Sequence, residues 1–194
     1  MRQFISWEKS PYGTIFPNEP LGYAERTLPS ILKPKALKEE LKTRIKKIWH
    51  IMQAAKESFY YSYYLHKPDS EEENNYVNSS SHFKFIRIAL WKLTVIELAK
   101  LFNRKDSQDK FNLNKLLLNL KSDGHFRTLN FDQTKIASCE ESLKYNEATI
   151  QEIIKLRDKV YSHTDPNSDS YKNSDITFEQ TELLIKLCEE IIVS

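Results

Sequence analysis

The chain has 194 residues, enough to bury roughly 70% of its unfolded surface in one domain without a disulfide or a metal to hold the core. Its 29 Lys and Arg against 27 Asp and Glu leave a formal charge of +2, which excludes a broad basic surface that grips nucleic acid by phosphate contacts alone. Cys139 and Cys188 match no metal-ligand spacing and neither CxxC nor HExxH occurs, so no metal or cofactor is expected, and both cysteines read as reduced core thiols of a cytoplasmic protein.

Six of the seven prolines and two of the three glycines fall in the first 68 residues, most of them before Lys35. Residues 1–33 therefore read as an irregular arm, made apolar enough to dock by Trp7, Tyr12, Ile15, Phe16, Leu21 and Tyr23. The arm lacks the apolar run of a signal peptide. The body is expected over residues 34–194. Pro34 is placed to open a helix that runs to about residue 65, with Leu37, Leu41, Ile45, Ile48, Trp49, Met52 and Ala55 at helical spacing. Its end, Phe59-Tyr60-Tyr61-Ser62-Tyr63-Tyr64, sets aromatics all round the cylinder, which fits core packing first, then a dimer seam, then a base-stacking platform.

Residues 67–80 are polar and acidic and read as a loop. A second helix follows over about 82–103. Arg87, Lys92, Glu97 and Lys100 interrupt its apolar stretch, so it is no membrane span. After a polar turn near 105–108 comes a short helix around 113–120, ended by Asp123-Gly124. The spacing of Ile136, Leu143, Ile150, Ile153, Ile154 and Val160 predicts one long helix from about residue 132 or 133 to about 162, closed by Asp165-Pro166. Thr177 and Gln180 form a capping-box pattern for a last helix that reaches residue 193. No segment alternates with period two, and the expected fold is all-α, an antiparallel bundle of four main helices plus a short one.

The run Leu156-Arg157-Asp158-Lys159-Val160-Tyr161-Ser162-His163-Thr164-Asp165 carries the chemistry. Arg157 falls on the same face as Ile150, Ile153, Ile154, Val160 and Tyr161. A guanidinium keeps its charge, so burying it requires an acceptor or a bound anion. Arg157 and His163 lie about 120° apart round an ideal helix and ~9 Å apart along it, too far for one copy to bring both onto one atom. A twofold axis that supplies two Arg and two His to one cleft resolves this, so a homodimer is expected.

In such a cleft a histidine serves as base or acid near neutral pH, and Arg157 holds and neutralises a scissile phosphate. Together they can cleave RNA without a metal. Asp158 or Asp165 would orient the imidazole or neutralise Arg157 when no substrate is bound, and Lys159 and Tyr161 would add phosphate or base contacts. The competing reading is structural: His163 caps the helix end, and Arg157 pairs with a carboxylate such as Glu97. His50, His66, His82 and His125 read as surface or partly packed side chains.

The stretch Arg157-Asp158-Lys159-Val160-Tyr161-Ser162-His163 resembles the R-x(4–6)-H signature of the HEPN superfamily, with Asp158 as the polar residue after the arginine. Thr164, Asp165, the helix carrying Ile88-Ala89-Leu90 and Leu98-Ala99-Lys100-Leu101-Phe102-Asn103, and the turn before Leu116-Leu117 are similar to its AbiU2-like branch. Asn103 stands where that branch would place an aspartate. The resemblance covers roughly residues 35–193. It implies an all-α bundle, a homodimer with both motifs at the interface and, in active members, metal-independent endoribonuclease activity in toxin–antitoxin or anti-phage systems. RNA is then the substrate and an antitoxin a possible partner, whereas non-catalytic members imply a module that binds nucleotide, RNA or protein.

Overall fold

A computed structural model of the chain describes residues 34–103, 110–158 and 176–193. The arm assigned to residues 1–33 and the polar turn at 105–108 lie outside the described residues. Seven α-helices and one 3-10 turn occur among the described residues, with no strand: α1 Pro34–His66, α2 Glu71–Ser79, α3 Ser81–Phe102, α4 Leu113–Leu120, the 3-10 turn Arg127–Leu129, α5 Gln133–Tyr145, α6 Glu147–Leu156 and α7 Phe178–Val193. The fold is all-α.

The α1–α3 pair is the spine. Ser58 and Thr94, both buried, meet hydroxyl to hydroxyl at 3.0 Å, and Ser62 Oγ donates to Arg87 O at 3.0 Å. A higher residue on α1 thus meets a lower one on α3, so the two helices run antiparallel. Each buried hydroxyl also reaches a backbone carbonyl, Ser58 that of Ala54 at 2.7 Å and Thr94 that of Leu90 at 3.0 Å. Slipping the pair would strand these groups, so they fix its register. α7 packs on α1 as well: Lys67 pairs with Glu179 at 3.3 Å and Lys56 with Glu189, which sets α7 antiparallel to α1 and parallel to α3. Met52, Ala55, Phe59, Val95, Leu98, Phe102, Ile153, Leu184 and Cys188 meet in one core, with α6 packed on α3 and α5 on α4 and α7.

Two expectations are corrected. Residues 67–80 are not all loop: residues 71–79 form α2. Ser70 caps it by accepting from Glu73 N at 3.2 Å, and Glu71, Glu72 and Glu73 occupy its first turn, where acidic side chains complement the helix dipole. Val77 alone of this helix is buried. The long helix expected over about 132–162 is two helices, because Asn146 leaves the helical region at φ −93°, ψ 8°, and its side-chain amide donates to Ser142 O at 2.9 Å. An asparagine that bonds the preceding turn competes with the helical ladder.

Helix ends follow local chemistry elsewhere. Asn112 caps α4 by accepting from Lys115 N at 2.8 Å, while Asn114 Nδ2 donates to the Phe102 and Asn103 carbonyls that α3 leaves open. Gly124 is required by close approach: a Cβ there would lie 2.5 Å from Asn119 O and 2.6 Å from Leu118 O, in the last turn of α4. At α7 the capping box is complete, with Thr177 N donating to Gln180 Oε1 at 2.9 Å and Gln180 N to Thr177 Oγ1 at 3.2 Å.

The aromatic run divides. Phe59 is buried and, with Tyr63, His66 and Trp91, surrounds Phe178 at the start of α7, with ring centroids 5.0–6.1 Å from it. Tyr60, Tyr61 and Tyr64 point to solvent. Neither Cys139 nor Cys188 forms a disulfide; the first is half-buried and the second fully buried. No described helix is long and apolar enough to cross a membrane.

Candidate functional site

α6 forms because Ile150, Ile153, Ile154 and Leu156 give it a buried face against α3. Arg157 follows with helical backbone, φ −57° and ψ −52°, and its N–H donates to both Ile153 O and Ile154 O. Its side chain therefore leaves the helix on the same side as Ile150, Ile153 and Ile154, as the spacing predicts. It is 18% exposed, so most of a charged side chain is withdrawn from water.

Its partner is not Glu97. That carboxylate pairs with Lys100 at 2.6 Å, one turn along its own helix, so the structural pairing expected for it is overturned. Arg157 Nε instead donates to Asp158 Oδ1 at 2.7 Å. Consecutive residues on an α-helix point about 100° apart and do not normally face each other. Here the winding widens from α to π at Arg157 and Asp158, a local change often found at functional positions. The Arg side chain turns back to reach its neighbour. No sequence signal announced that change of winding.

Asp158 is 49% exposed, so this ion pair sits at the rim of the bundle with water on its acidic side. A guanidinium has five N–H donors, and Asp158 takes one; a phosphate bound bidentately takes two. The arrangement can hold a phosphodiester, with the carboxylate balancing the cation until the anion arrives. Lys159, Tyr161, His163 and Asp165 lie outside the described residues.

The other histidines are placed elsewhere. His50 and His82 are exposed, His125 Nε2 lies 3.0 Å from Glu40 Oε2, and His66 donates from Nδ1 to Ser62 O at 2.8 Å while packing on Phe178. Among the described residues no three His, Cys, Asp or Glu are grouped to hold a metal ion. Two larger cavities lie away from Arg157: one of about 560 Å³ between α5 and α7 beside Tyr145 and Glu190, and an apolar one of about 450 Å³ walled by Leu41, Leu117, Phe131 and Ile191.

No protein of curated function and no solved structure matches the chain. One family model does: HEPN_AbiU2, described as AbiU2, over residues 37–194, a span that takes in the helical bundle and the whole Arg157-to-His163 run. The match covers more than half of the chain, and the chain belongs to the AbiU2 family of the HEPN superfamily.

Proposed function

We propose that this protein is a metal-independent endoribonuclease of the HEPN type, a toxin or anti-phage defence component that acts as a homodimer with a composite Arg157/His163 site. The observation that carries the reading is Arg157: a guanidinium withdrawn from water on the apolar face of α6, held by one half-exposed carboxylate that an anion can replace.

In the reaction, the ribose 2′-oxygen attacks phosphorus while the bond from phosphorus to the 5′-oxygen breaks. His163 of one copy takes the 2′-hydroxyl proton, and the second His163 delivers a proton to the departing 5′-oxygen. Arg157 holds the non-bridging oxygens and stabilises the charge that builds on them. Asp158 orients Arg157, Asp165 orients the imidazole, and Lys159 and Tyr161 contact the flanking phosphate or base. Silencing by an antitoxin would act by covering this cleft.

The test is incubation of wild type and His163→Ala with total RNA in excess EDTA, followed by analysis of the cut ends. Cleavage by wild type alone, leaving 2′,3′-cyclic phosphate and 5′-hydroxyl ends, is the expected result. The second reading is a non-catalytic HEPN module, which the Arg157–Asp158 pair favours in so far as it already neutralises the arginine. A stoichiometric RNA, nucleotide or protein complex without cleavage would favour it.

A further inference from the structure

We infer that Arg87 anchors an anion site on α3 that takes a dianionic phosphate group. The inference does not depend on the reaction proposed for Arg157. By residue count Arg87 lies within about 40° of Trp91, Thr94 and Leu98, on the side of α3 that faces the core. It is half-buried, and Ser62 of α1 donates to its backbone carbonyl at 3.0 Å. Its Nε is buried with no hydrogen-bond partner. Among the described residues the guanidinium meets no carboxylate, and its acceptor is the side-chain oxygen of Asn78 on α2, 3.2 Å from Nη1.

The other two partly buried arginines among the described residues are paired with acids, Arg44 with Glu40 at 2.8 Å and Arg157 with Asp158 at 2.7 Å. A guanidinium keeps its charge, so withdrawing it from water beside a neutral amide alone is costly, and an anion offsets that cost. The buried Nε–H adds to it, because a donor without an acceptor loses its hydration and gains nothing in return.

The neighbours raise the positive potential and do not cancel it. Lys84 precedes Arg87 by about 60° round α3 and ~4.5 Å along it, and helical side chains lean toward the N-terminus, so the guanidinium extends over the turn that carries Lys84. Lys84 too has no carboxylate partner among the described residues, and like charges at this spacing repel. The acids of α2, Glu71, Glu72 and Glu73, occupy its first turn; the last of them lies ~7.5 Å along the helix from Asn78 and is engaged by the Tyr64 hydroxyl. Two positive charges one turn apart match a group that carries two negative ones. A phosphate monoester carries about −1.5 to −2 near pH 7, whereas a carboxylate or a phosphodiester carries a single charge. The Arg87 fork can donate to two of its oxygens while Lys84 supplies a point charge to a third. Such a group comes from a small phosphorylated molecule or from the phosphorylated 5′ end of an RNA, and the chemistry recognised is the same.

The test follows the arginine Nε–H signals of the isotope-labelled full chain by NMR while inorganic phosphate is added at about pH 7.5, where it is mostly dianionic, and at constant ionic strength. The Arg87 signal is the one missing from Arg87→Lys, and the burial of its Nε slows exchange with water. It is expected to move and to saturate with phosphate and to stay in place with acetate. Lys84→Met, a change at an exposed position, should weaken phosphate binding ~5-fold, and in Arg157→Met the Arg87 signal should respond as in wild type. A 5′-phosphorylated RNA trimer that binds ~10-fold more tightly than phosphate, beside a 5′-hydroxyl trimer that leaves the signal in place, would support the site and assign its ligand to RNA ends. Equal binding of phosphate and the phosphorylated trimer would support it as a site for small phosphorylated molecules. Movement that never saturates, an equal response to acetate, or a Lys84→Met variant that binds phosphate as well as wild type would overturn the site. Saturation of the Arg157 signal alone would place phosphate in the cleft proposed above and would overturn this site while leaving that one intact.

Discussion

Replacing Arg157 by methionine separates a catalytic arginine from a structural one. The side chain is 18% exposed and its partner Asp158 is 49% exposed. Methionine keeps most of the apolar stem against α6, removes the charge, and leaves Asp158 where water can solvate it. The lost hydrogen bond is charge-assisted and worth roughly 1.5–3 kcal/mol at most. Solvent screening on the acidic side and the recovered desolvation cost of the guanidinium offset most of that. We expect unfolding stability to change by no more than about 1 kcal/mol, a shift of about 2–4 °C in a domain of this size. RNA cleavage in EDTA is expected to fall at least ~100-fold, since removing one donor aimed at transition-state charge costs about 2.7 kcal/mol or more. Arg157→Lys, which keeps the charge but not the fork, should fall between the two. Thermal melts by circular dichroism and single-turnover cleavage of a labelled RNA provide both numbers. A variant that melts many degrees lower, or that folds normally and cleaves within threefold of wild type, would refute the assignment.

Three further outcomes test the fold around the site. Thr177→Ala removes one half of the capping box at the start of α7 and should cost about 1 kcal/mol, read as a fall of about 2–4 °C in Tm; no change would mean that the cap contributes nothing. The hydrogen bond from His125, aided by Arg44 and opposed by partial burial, holds the Glu40 carboxyl below its ordinary value of 4.5. A depressed carboxyl stabilises the fold above its unfolded pKa and loses that contribution as pH falls through the folded value. Glu40→Gln should therefore melt closer to wild type at about pH 3 than at about pH 6, and a constant difference across that range would contradict the pairing. Burial pushes the Cys188 thiol far up, so iodoacetamide on the native protein should modify half-buried Cys139 first. Mass spectrometry that finds Cys188 labelled at an equal rate would show that the core opens.

Where the code is local, the chain announced its own architecture. Pro34 opens α1, the apolar spacing marks α3 and α4 to within a residue or so, and Thr177 with Gln180 forms the cap that begins α7. The position of Arg157 on the Ile150–Ile154 side of α6 was equally readable, because the face of a helix is set by residue count alone. What the sequence missed or left open has a different origin. α2 has one buried residue, so apolar periodicity cannot reveal it; its Ser70 cap, its acidic first turn and contact with α3 hold it. The break at Asn146 is invisible because the apolar spacing continues across it, while the deciding event is a side-chain amide winning a carbonyl of the preceding turn. Of the carboxylates the sequence offered to Arg157, Asp158 is the one that pairs with it and Glu97 is not, because a long guanidinium reaches several carboxylates and Lys100 had already claimed Glu97. Periodicity reports which side of an element faces the core. Which polar groups meet depends on competition among neighbours brought together by packing, and that competition is resolved only once the helices are in place.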